Sequence, residues 1–190
     1  MVVQMINKGG DSLMAEQLSF QIEESGSIPT SPLQLEIVEI SLSAAKVLNR
    51  KWHSSLPEYE TGFMPIAVVC YGAKYDNKFY AGAIWNNPSS PSLPQEWLEL
   101  RRMAISPDAP RNTATRMLKI MAMLIKHNCP QYIRLISYQD TSIHYGTIYK
   151  ASGWKATNKS CGNKKQRAGK YRELVLDKAD NPKIRWEYTI

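Results

Sequence analysis

Between residues 97 and 152 the sequence changes twice from a strand pattern to a helix pattern. The patterns are a strand over 97–105, a helix over 112–128, a strand over 132–138 and a helix over 141–152. The first strand alternates apolar and polar residues, the first helix repeats apolar residues at helical spacing, and Gly153 can end the second helix in a left-handed cap. Because a helix that joins two strands in this way forms a crossover connection, the segment predicts an α/β fold.

Shorter patterns extend this order on both sides. They are a strand over 35–40, a helix over 43–48, a hairpin of 66–72 and 79–85, and two closing strands over 173–176 and 184–188. Before them, residues 1–34 end in a stretch rich in Ser and Pro that has little apolar surface to bury. We therefore predict a peripheral lead-in over 1–34 and a single domain over 35–190.

Charge gives a first indication of the partner. The chain carries 24 Lys and Arg residues against 17 Asp and Glu residues, a formal charge of +7, which favours an acidic partner and nucleic acid first. Residues 155–172 contain no acidic residue, and their densest basic part holds Lys164, Lys165 and Arg167. We predict that these three side chains contact the phosphates of double-stranded DNA, and a solvated loop is the alternative interpretation.

Cysteine content and hydropathy indicate the compartment. The cysteines are Cys70, Cys129 and Cys161, and no two of them form a C-x-x-C pair, so a disulfide framework is not expected. No segment approaches the roughly 18 apolar residues of a membrane span, and residues 1–11 lack the basic and apolar regions of a signal peptide. We expect a protein of the cytoplasm without a membrane partner.

The start of the helix over 112–128 is the first candidate site. A helix N-terminus presents unpaired N–H groups and a partial positive charge, which suits a phosphate or pyrophosphate. The residues that would hold such a group are Arg111, Asn112, Thr113 and Arg116. The alternative is that Asn112 is an ordinary N-cap and that the two arginines are only solvated. No glycine-rich phosphate loop precedes the helix, which weakens the prediction of a tightly held nucleotide.

The junction after the strand over 132–138 is the second candidate site. Asp140 lies there, and Tyr145 and Tyr149 follow at a four-residue spacing that places them on one face of the predicted helix. A phenol can donate a proton or a hydrogen bond, and the carboxylate can act as a base, orient another group or bind a metal. Alternatively, Asp140 caps the helix and Tyr149 is a core aromatic residue.

Metal binding has little support in residue spacing. The three histidines, His53, His127 and His144, form no H-x-x-x-H or H-x-x-E pair, so a metal site would have to assemble across the fold. His127 ends a predicted helix, where a favourable interaction with the helix dipole explains it. His53 follows the first predicted helix and is either a surface residue or a site residue, with metal binding as its candidate role.

Four runs of residues resemble the Mom family of phage DNA-modification proteins. The runs are Leu-Glu-Leu-Arg-Arg at 98–102, Asp-Ala-Pro-Arg-Asn-Thr-Ala at 108–114, Leu-Ile-Ser-Tyr-Gln-Asp at 135–140 and Gly-Thr-Ile-Tyr-Lys-Ala-Ser-Gly-Trp at 146–154. The similarity extends from about residue 35 to residue 154, and the basic segment 155–172 also has a counterpart in the family. It implies a GNAT-like fold, a mixed and splayed sheet of six or seven strands flanked by helices, with the donor entering between the fourth and fifth strands.

The resemblance also implies an activity, the addition of a methylcarbamoyl group to the exocyclic N6 of adenine in DNA, which protects the DNA from restriction endonucleases. The family's functional positions correspond to His53, Arg101, Asp140 and Tyr149 in this chain, and iron is a candidate cofactor. Residues 111–114 stand where GNAT enzymes carry a glycine-rich pyrophosphate loop, which leaves the acyl donor open, with acetyl-CoA as one candidate. A phage origin would place the enzyme in the cytoplasm of the host cell.

Two other functions fit the same residues. One is a conventional acetyl-CoA-dependent N-acetyltransferase that acts on a small amine or a protein, with Tyr149 as general acid. The other is a DNA-binding protein without catalytic activity that keeps the fold and the basic segment 155–172. A donor-dependent change in mass on DNA, on an amine or on neither substrate separates the three hypotheses.

Overall fold

The computed structural model describes residues 27–53, 58, 67–160 and 182–190. Several sequence predictions lie outside these residues, namely the closing strand over 173–176, the DNA contacts Lys164, Lys165 and Arg167, and most of the lead-in over 1–34. The domain boundary after residue 34 therefore stays a prediction. Within the described part of the chain, no helix is long and apolar enough to cross a membrane.

Seven strands and three helices form the framework of the described residues. In chain order they are β1 (Glu36–Glu39), α1 (Leu42–Trp52), β2 (Ala67–Tyr75), β3 (Lys78–Asn86), β4 (Trp97–Ile105), α2 (Thr113–Asn128), β5 (Arg134–Asp140), α3 (Thr147–Ala151), β6 (Lys155–Ser160) and β7 (Lys183–Thr189). The strands form one sheet in the order β1-β2-β3-β4-β5-β7-β6. Within this sheet β4 and β5 are parallel and the other neighbours are antiparallel. The predicted α/β class and the mixed sheet are confirmed.

The two long helices cover opposite faces of the sheet. Consecutive residues of a strand point to opposite faces. Ile84 packs in the small cluster that contains Ala45 of α1, whereas Trp85 packs in the main core with Met121 of α2. Each helix therefore buries its apolar stripe on its own side, and β4 is held between them.

The hairpin of β2 and β3 closes with two residues rather than the six that separate the predicted strands 66–72 and 79–85. Asp76 and Asn77 have φ angles of 48° and 62°. Such a pair of left-handed residues is typical of a type I′ turn, in which the backbone twist matches that of the flanking strands. Consequently β2 continues to Tyr75 and β3 begins at Lys78.

The predicted helix over 141–152 is wrong in its first half. The carboxylate of Asp140 accepts a hydrogen bond from the Ser142 N–H (2.9 Å), which forms a turn that competes with helical hydrogen bonds. Gly146 then takes a left-handed conformation with a φ of 72°. The helix starts only after this glycine, as α3, and Gly153 (φ 87°) follows its C-terminal end as predicted.

The first part of the basic segment 155–172 forms a strand that the sequence does not predict. Residues 155–160 read Lys-Ala-Thr-Asn-Lys-Ser and show no apolar alternation. They become β6 because they pair with β7, from Lys155 opposite Glu187 to Ser160 opposite Lys183. The strand is thus specified by its neighbour rather than by its own pattern.

The sheet opens between β4 and β5. Their pairing ends at Leu100 and Ser137, whereas β4 runs on to residue 105 and β5 to residue 140. At the same place the pairing of β4 with β3 skips Arg101, because Leu100 and Arg102 face consecutive residues of β3. An extra residue of this kind is a β-bulge, which bends its strand and increases the local twist. The predicted splay between the fourth and fifth strands is confirmed, and Arg101 lies at its apex.

Candidate active site

A cleft of about 430 Å³ lies where β4 and β5 part. Arg101 and Arg102 line one wall, and Tyr138 and Gln139 line the other. The chain from residue 143 to residue 149 closes one side. Of the residues predicted for chemistry, the structure brings His53, Arg101 and Tyr149 together in this cleft.

Tyr149 forms the buried floor of the cleft. Its hydroxyl shares a hydrogen bond of 2.9 Å with Ser137 Oγ, which in turn donates to the Leu100 carbonyl oxygen at 3.4 Å. Its ring stacks on Trp186 with 5.3 Å between the centroids and meets Trp154 edge-on at 5.7 Å. These contacts fix the ring, so the phenol is held in one position at the apex of the splay.

Burial determines the protonation state of this phenol. Loss of solvation raises the pKa of Tyr149 above its usual value, and the hydrogen bond with Ser137 offsets this only in part. Because an ordinary tyrosine already titrates near pH 10, Tyr149 is a neutral proton donor at physiological pH. It can give a proton to a leaving group but is not an anionic base.

Arg101 is oriented by a buried carboxylate. Its guanidinium donates to Glu99 Oε1 at 2.8 Å, and Glu99 is only 2% exposed. The other oxygen of Glu99 accepts the Ser89 backbone N–H at 3.0 Å, so the carboxylate itself is fixed. The backbone of Arg101 is held as well, because the Arg102 guanidinium donates to the Arg101 carbonyl oxygen at 2.9 Å. The bulge therefore presents a positioned positive charge to the cleft.

His53 lies directly after α1 and lines the same cleft. Its backbone N–H donates to the Asn49 carbonyl oxygen at 2.8 Å, which fixes the chain at the end of the helix. Together with His144 it supplies the imidazoles of the cleft, and no carboxylate lines the cleft among the described residues. Nor do these residues contain a group of three or more His, Cys, Asp or Glu side chains that could hold a metal ion. This donor set does not fit an iron site, and the predicted iron has no support here.

Asp140 lies outside the cleft, at the end of β5. Its carboxylate accepts hydrogen bonds from both the N–H and the hydroxyl of Ser142, and its carbonyl oxygen accepts the His144 N–H at 3.0 Å. These contacts shape the turn that follows the strand. The structure does not bring Asp140 together with Arg101 and Tyr149, and its catalytic role stays a prediction.

The predicted donor residues lie at the start of α2, which reaches the cleft through Ala114. Asn112 has a φ of 68° and its side chain makes no capping hydrogen bond, so the N-cap interpretation of that side chain is wrong. The reason is geometric, since a capping side chain needs an extended backbone at its own residue. Thr113 is buried and its hydroxyl donates to the Pro110 carbonyl oxygen at 2.7 Å. Arg111 is exposed and Arg116 half-buried, and their donor contacts stay predictions.

Sequence reasoning assigned no role to Ser137, Gln139 or Trp186, which shape the site. Gln139 is 4% exposed, and its amide oxygen accepts the Trp186 indole N–H at 2.7 Å. The sequence of β5 contained a signal for the two polar residues, because every second residue of a strand points to the same face. Ser137 and Gln139 share a face with buried Leu135, and polar residues on a buried face indicate specific partners.

A model of the Mom protein family matches residues 34–183. The chain belongs to the Mom protein family. This match covers the cleft, both of its walls and the segment that carries the three predicted DNA contacts. The membership that the four sequence runs predict is confirmed. No curated protein sequence matches the chain.

Solved structures of acetyltransferases share the fold. The ribosomal-protein-S18-alanine N-acetyltransferase of Escherichia coli is 12% identical, with 82% of this chain and 94% of that chain covered and a TM-score of 0.53. A Bacillus subtilis acetyltransferase in complex with CoA is 12% identical, with 82% and 99% covered and a TM-score of 0.53. The GNAT domain of a Streptomyces lividans protein is 9% identical, with 82% and 90% covered and a TM-score of 0.53. This Mom family protein therefore has the acyl-transfer fold of GNAT enzymes.

Proposed function

We propose that this Mom family protein modifies DNA by transferring a methylcarbamoyl group to N6 of adenine, which protects the DNA from restriction in the cytoplasm of the host cell. The observation that carries the proposal is the cleft between β4 and β5, in which an oriented arginine and a buried neutral phenol face the same space. Membership of the Mom family supports the choice of DNA as substrate.

The reaction sets out what the cleft has to provide. Adenine N6 attacks the carbonyl carbon of the donor, a C–N bond forms, and the bond from that carbon to the leaving group breaks. N6 loses one proton, and the leaving group, a thiolate if the donor is an acyl-CoA, gains one. Because the N6 lone pair is delocalised into the ring, the attack is slow unless the negative charge on the carbonyl oxygen is stabilised.

Arg101 and Tyr149 fit two of these needs. The guanidinium, fixed by Glu99, supplies positive charge beside the carbonyl oxygen as it becomes negative. The phenol, neutral because burial raises its pKa, gives its proton to the leaving group. His53, an imidazole on the cleft wall, is our candidate for accepting the N6 proton.

Asp140 acts at a distance in this proposal. Its carboxylate holds the turn at Ser142, and that turn leads into the side of the cleft formed by residues 143–149. A carboxylate in this place positions the chain that touches the substrate. It is therefore a positioning residue rather than a group that handles protons.

The donor is proposed to be of the acyl-CoA class. The chain lacks the glycine-rich loop, but Asn112 takes the left-handed conformation that glycine usually provides. Its side chain makes no capping hydrogen bond, and although the Thr113 N–H donates to the Pro110 carbonyl oxygen at 3.3 Å, we propose that the next N–H groups of the first turn of α2 face an anion. Arg111 and Arg116 would add charge-assisted hydrogen bonds to a pyrophosphate. This observation also favours a second candidate function, a conventional acetyl-CoA-dependent acetyltransferase that acts on an amine.

The experiment that tests the proposal is nucleoside analysis of DNA from cells that express the chain. We expect a new deoxyadenosine derivative in mass spectrometry with the wild type, and its loss with Tyr149→Phe. Tyr132→Phe is the matched control, because it removes another buried phenol, one bonded to Asn87 at 3.0 Å outside the cleft. An acetylated amine without any DNA adduct would establish the acetyltransferase, and DNA binding without either product would establish the non-catalytic function.

A further inference from the structure

One side of the cleft mouth presents apolar side chains to solvent. Between β5 and α3, Ile143 is 46% exposed and Tyr145 is 91% exposed, although both line the cleft. The helix that the sequence predicts here would have placed Tyr145 on one face with Tyr149. Instead Tyr149 is buried and the ring of Tyr145 stands almost free of protein contacts. We name residues 141–146 the rim.

The rim is held firmly from below. The buried amide of Gln139 donates to the His144 carbonyl oxygen and accepts from the indole of Trp186. Gly146 fits so closely over this pair that a Cβ there would lie 2.5 Å from Gln139 Oε1 and 2.6 Å from Trp186. Asp140 accepts hydrogen bonds at the other end of the rim. The exposed ring is therefore carried by a backbone that is fixed at both ends.

The charged side chains around the Tyr145 ring indicate which kind of ligand it can contact. Arg101 and Arg102 line the opposite wall, and the lining residues that the structure describes include no Asp or Glu. A planar aromatic surface beside cations suits a planar base attached to a phosphate chain.

We infer that Tyr145 stacks on the nucleobase at the mouth of the cleft and helps to hold it out of the duplex, with Ile143 packing beside it. This inference rests on the proposed function and names a residue that acts on the substrate before the chemical step. An enzyme that modifies a base inside a duplex must first unstack it. A fixed aromatic side chain at the entrance compensates for the stacking that the base loses.

The test compares Tyr145→Ala and Tyr145→Phe on two substrates, in duplexes built around a site that wild-type cells modify. In one duplex the target adenine is opposite thymine, and in the other it is opposite an abasic site. We expect Tyr145→Ala to lower binding and modification of the paired duplex by roughly 5- to 150-fold, the usual range for loss of a base–aromatic stack. The abasic duplex should recover most of this loss, because its adenine is already unpaired, and Tyr145→Phe should behave like wild type on both.

The control is Met123→Ala, which removes another exposed apolar side chain, 67% exposed and outside the cleft lining. If Tyr145→Ala modifies the paired duplex at the wild-type rate, or loses the same factor on both duplexes, the inference is overturned. In the second case Tyr145 would act on the donor or on the chemical step. A wild type that leaves no adduct on DNA would refute the proposed function instead, so the two failures are distinguishable.

Discussion

Replacement of Tyr149 by Phe separates the structural role of the phenol from its chemical role. The ring contacts persist, because stacking on Trp186 at 5.3 Å and the edge contact with Trp154 at 5.7 Å do not involve the hydroxyl. What is lost is the 2.9 Å hydrogen bond to Ser137, whose hydroxyl keeps its contact with the Leu100 carbonyl oxygen. A single hydrogen bond of this kind contributes about 1 kcal/mol to the free energy of unfolding, so the melting temperature should fall by about 2–4 °C.

The effect on activity should be far larger. Removal of a positioned general acid lowers a rate by roughly 100- to 10,000-fold, because the leaving group then has to take its proton from water. The assay is the yield of modified deoxyadenosine in cellular DNA, measured at equal amounts of folded protein. Tyr132→Phe loses a comparable hydrogen bond and should keep its activity.

The stability difference between wild type and Tyr149→Phe should also depend on pH, and the raised pKa of Tyr149 determines the direction of that dependence. Burial raises the pKa of Tyr149 in the folded protein, so only the unfolded chain releases this proton near pH 10. The contribution of Tyr149 to stability is therefore complete below about pH 10 and declines as the pH rises above it. The difference in unfolding free energy between wild type and Tyr149→Phe should shrink over that range. A Tyr149→Phe variant with modification within threefold of wild type would refute the general-acid role and leave the phenol as a core residue.

Three further predictions test the other assigned residues. Asp140→Asn keeps an oxygen that can accept the Ser142 N–H, so a residue that only positions the turn should tolerate it, with folding and modification close to wild type. A folded Asp140→Asn variant without modification would refute the positioning role and restore a role of the carboxylate in proton transfer. Replacement of Lys164, Lys165 and Arg167 by Gln should weaken DNA binding at any sequence. It should also reduce the slope of log affinity against log salt concentration by up to about 0.9 per lost contact, and an unchanged slope would favour the alternative interpretation of a solvated loop. Asn112→Ala should destabilise the protein by about 1 kcal/mol because of the φ of 68°, whereas Asn112→Gly should not. Titration calorimetry with acetyl-CoA on these two variants then shows whether that turn holds a CoA donor, and undetectable binding with intact DNA modification would point to another donor.

Local patterns predicted the elements that bury their own apolar face. The strand over 97–105 coincides with β4, and the helix over 112–128 differs from α2 by one residue, because each carries a periodic signal of its own. The strand over 132–138 is displaced by two residues from β5, and β6 was not predicted at all. Both depend on pairing with β7, which is distant in sequence and invisible to a local pattern.

The site was harder to predict than the fold because it consists of departures from regular structure. The bulge at Arg101 exists only through the register between β3 and β4, and the rim exists because the turn at Asp140 and the left-handed Gly146 interrupt a helix pattern. Periodicity cannot reveal such features. The resemblance to the Mom family indicated His53, Arg101, Asp140 and Tyr149 as functional positions, and the structure brings all of them except Asp140 together in the cleft.

The size of the cleft limits how DNA can reach these groups. At about 430 Å³ it lies within the range for small-molecule sites and has room for one base and the reactive end of a donor. In the proposed reaction the donor lies at the start of α2, where Ala114 touches the cleft, and the base lies at the rim beside Tyr145. Since Arg101 and Tyr149 line the same cleft, the base and the donor would meet where the two strands part. DNA bound to the surface of the protein would therefore react only after its adenine had left the stack, so an adenine that is already unpaired should be modified faster than a paired one.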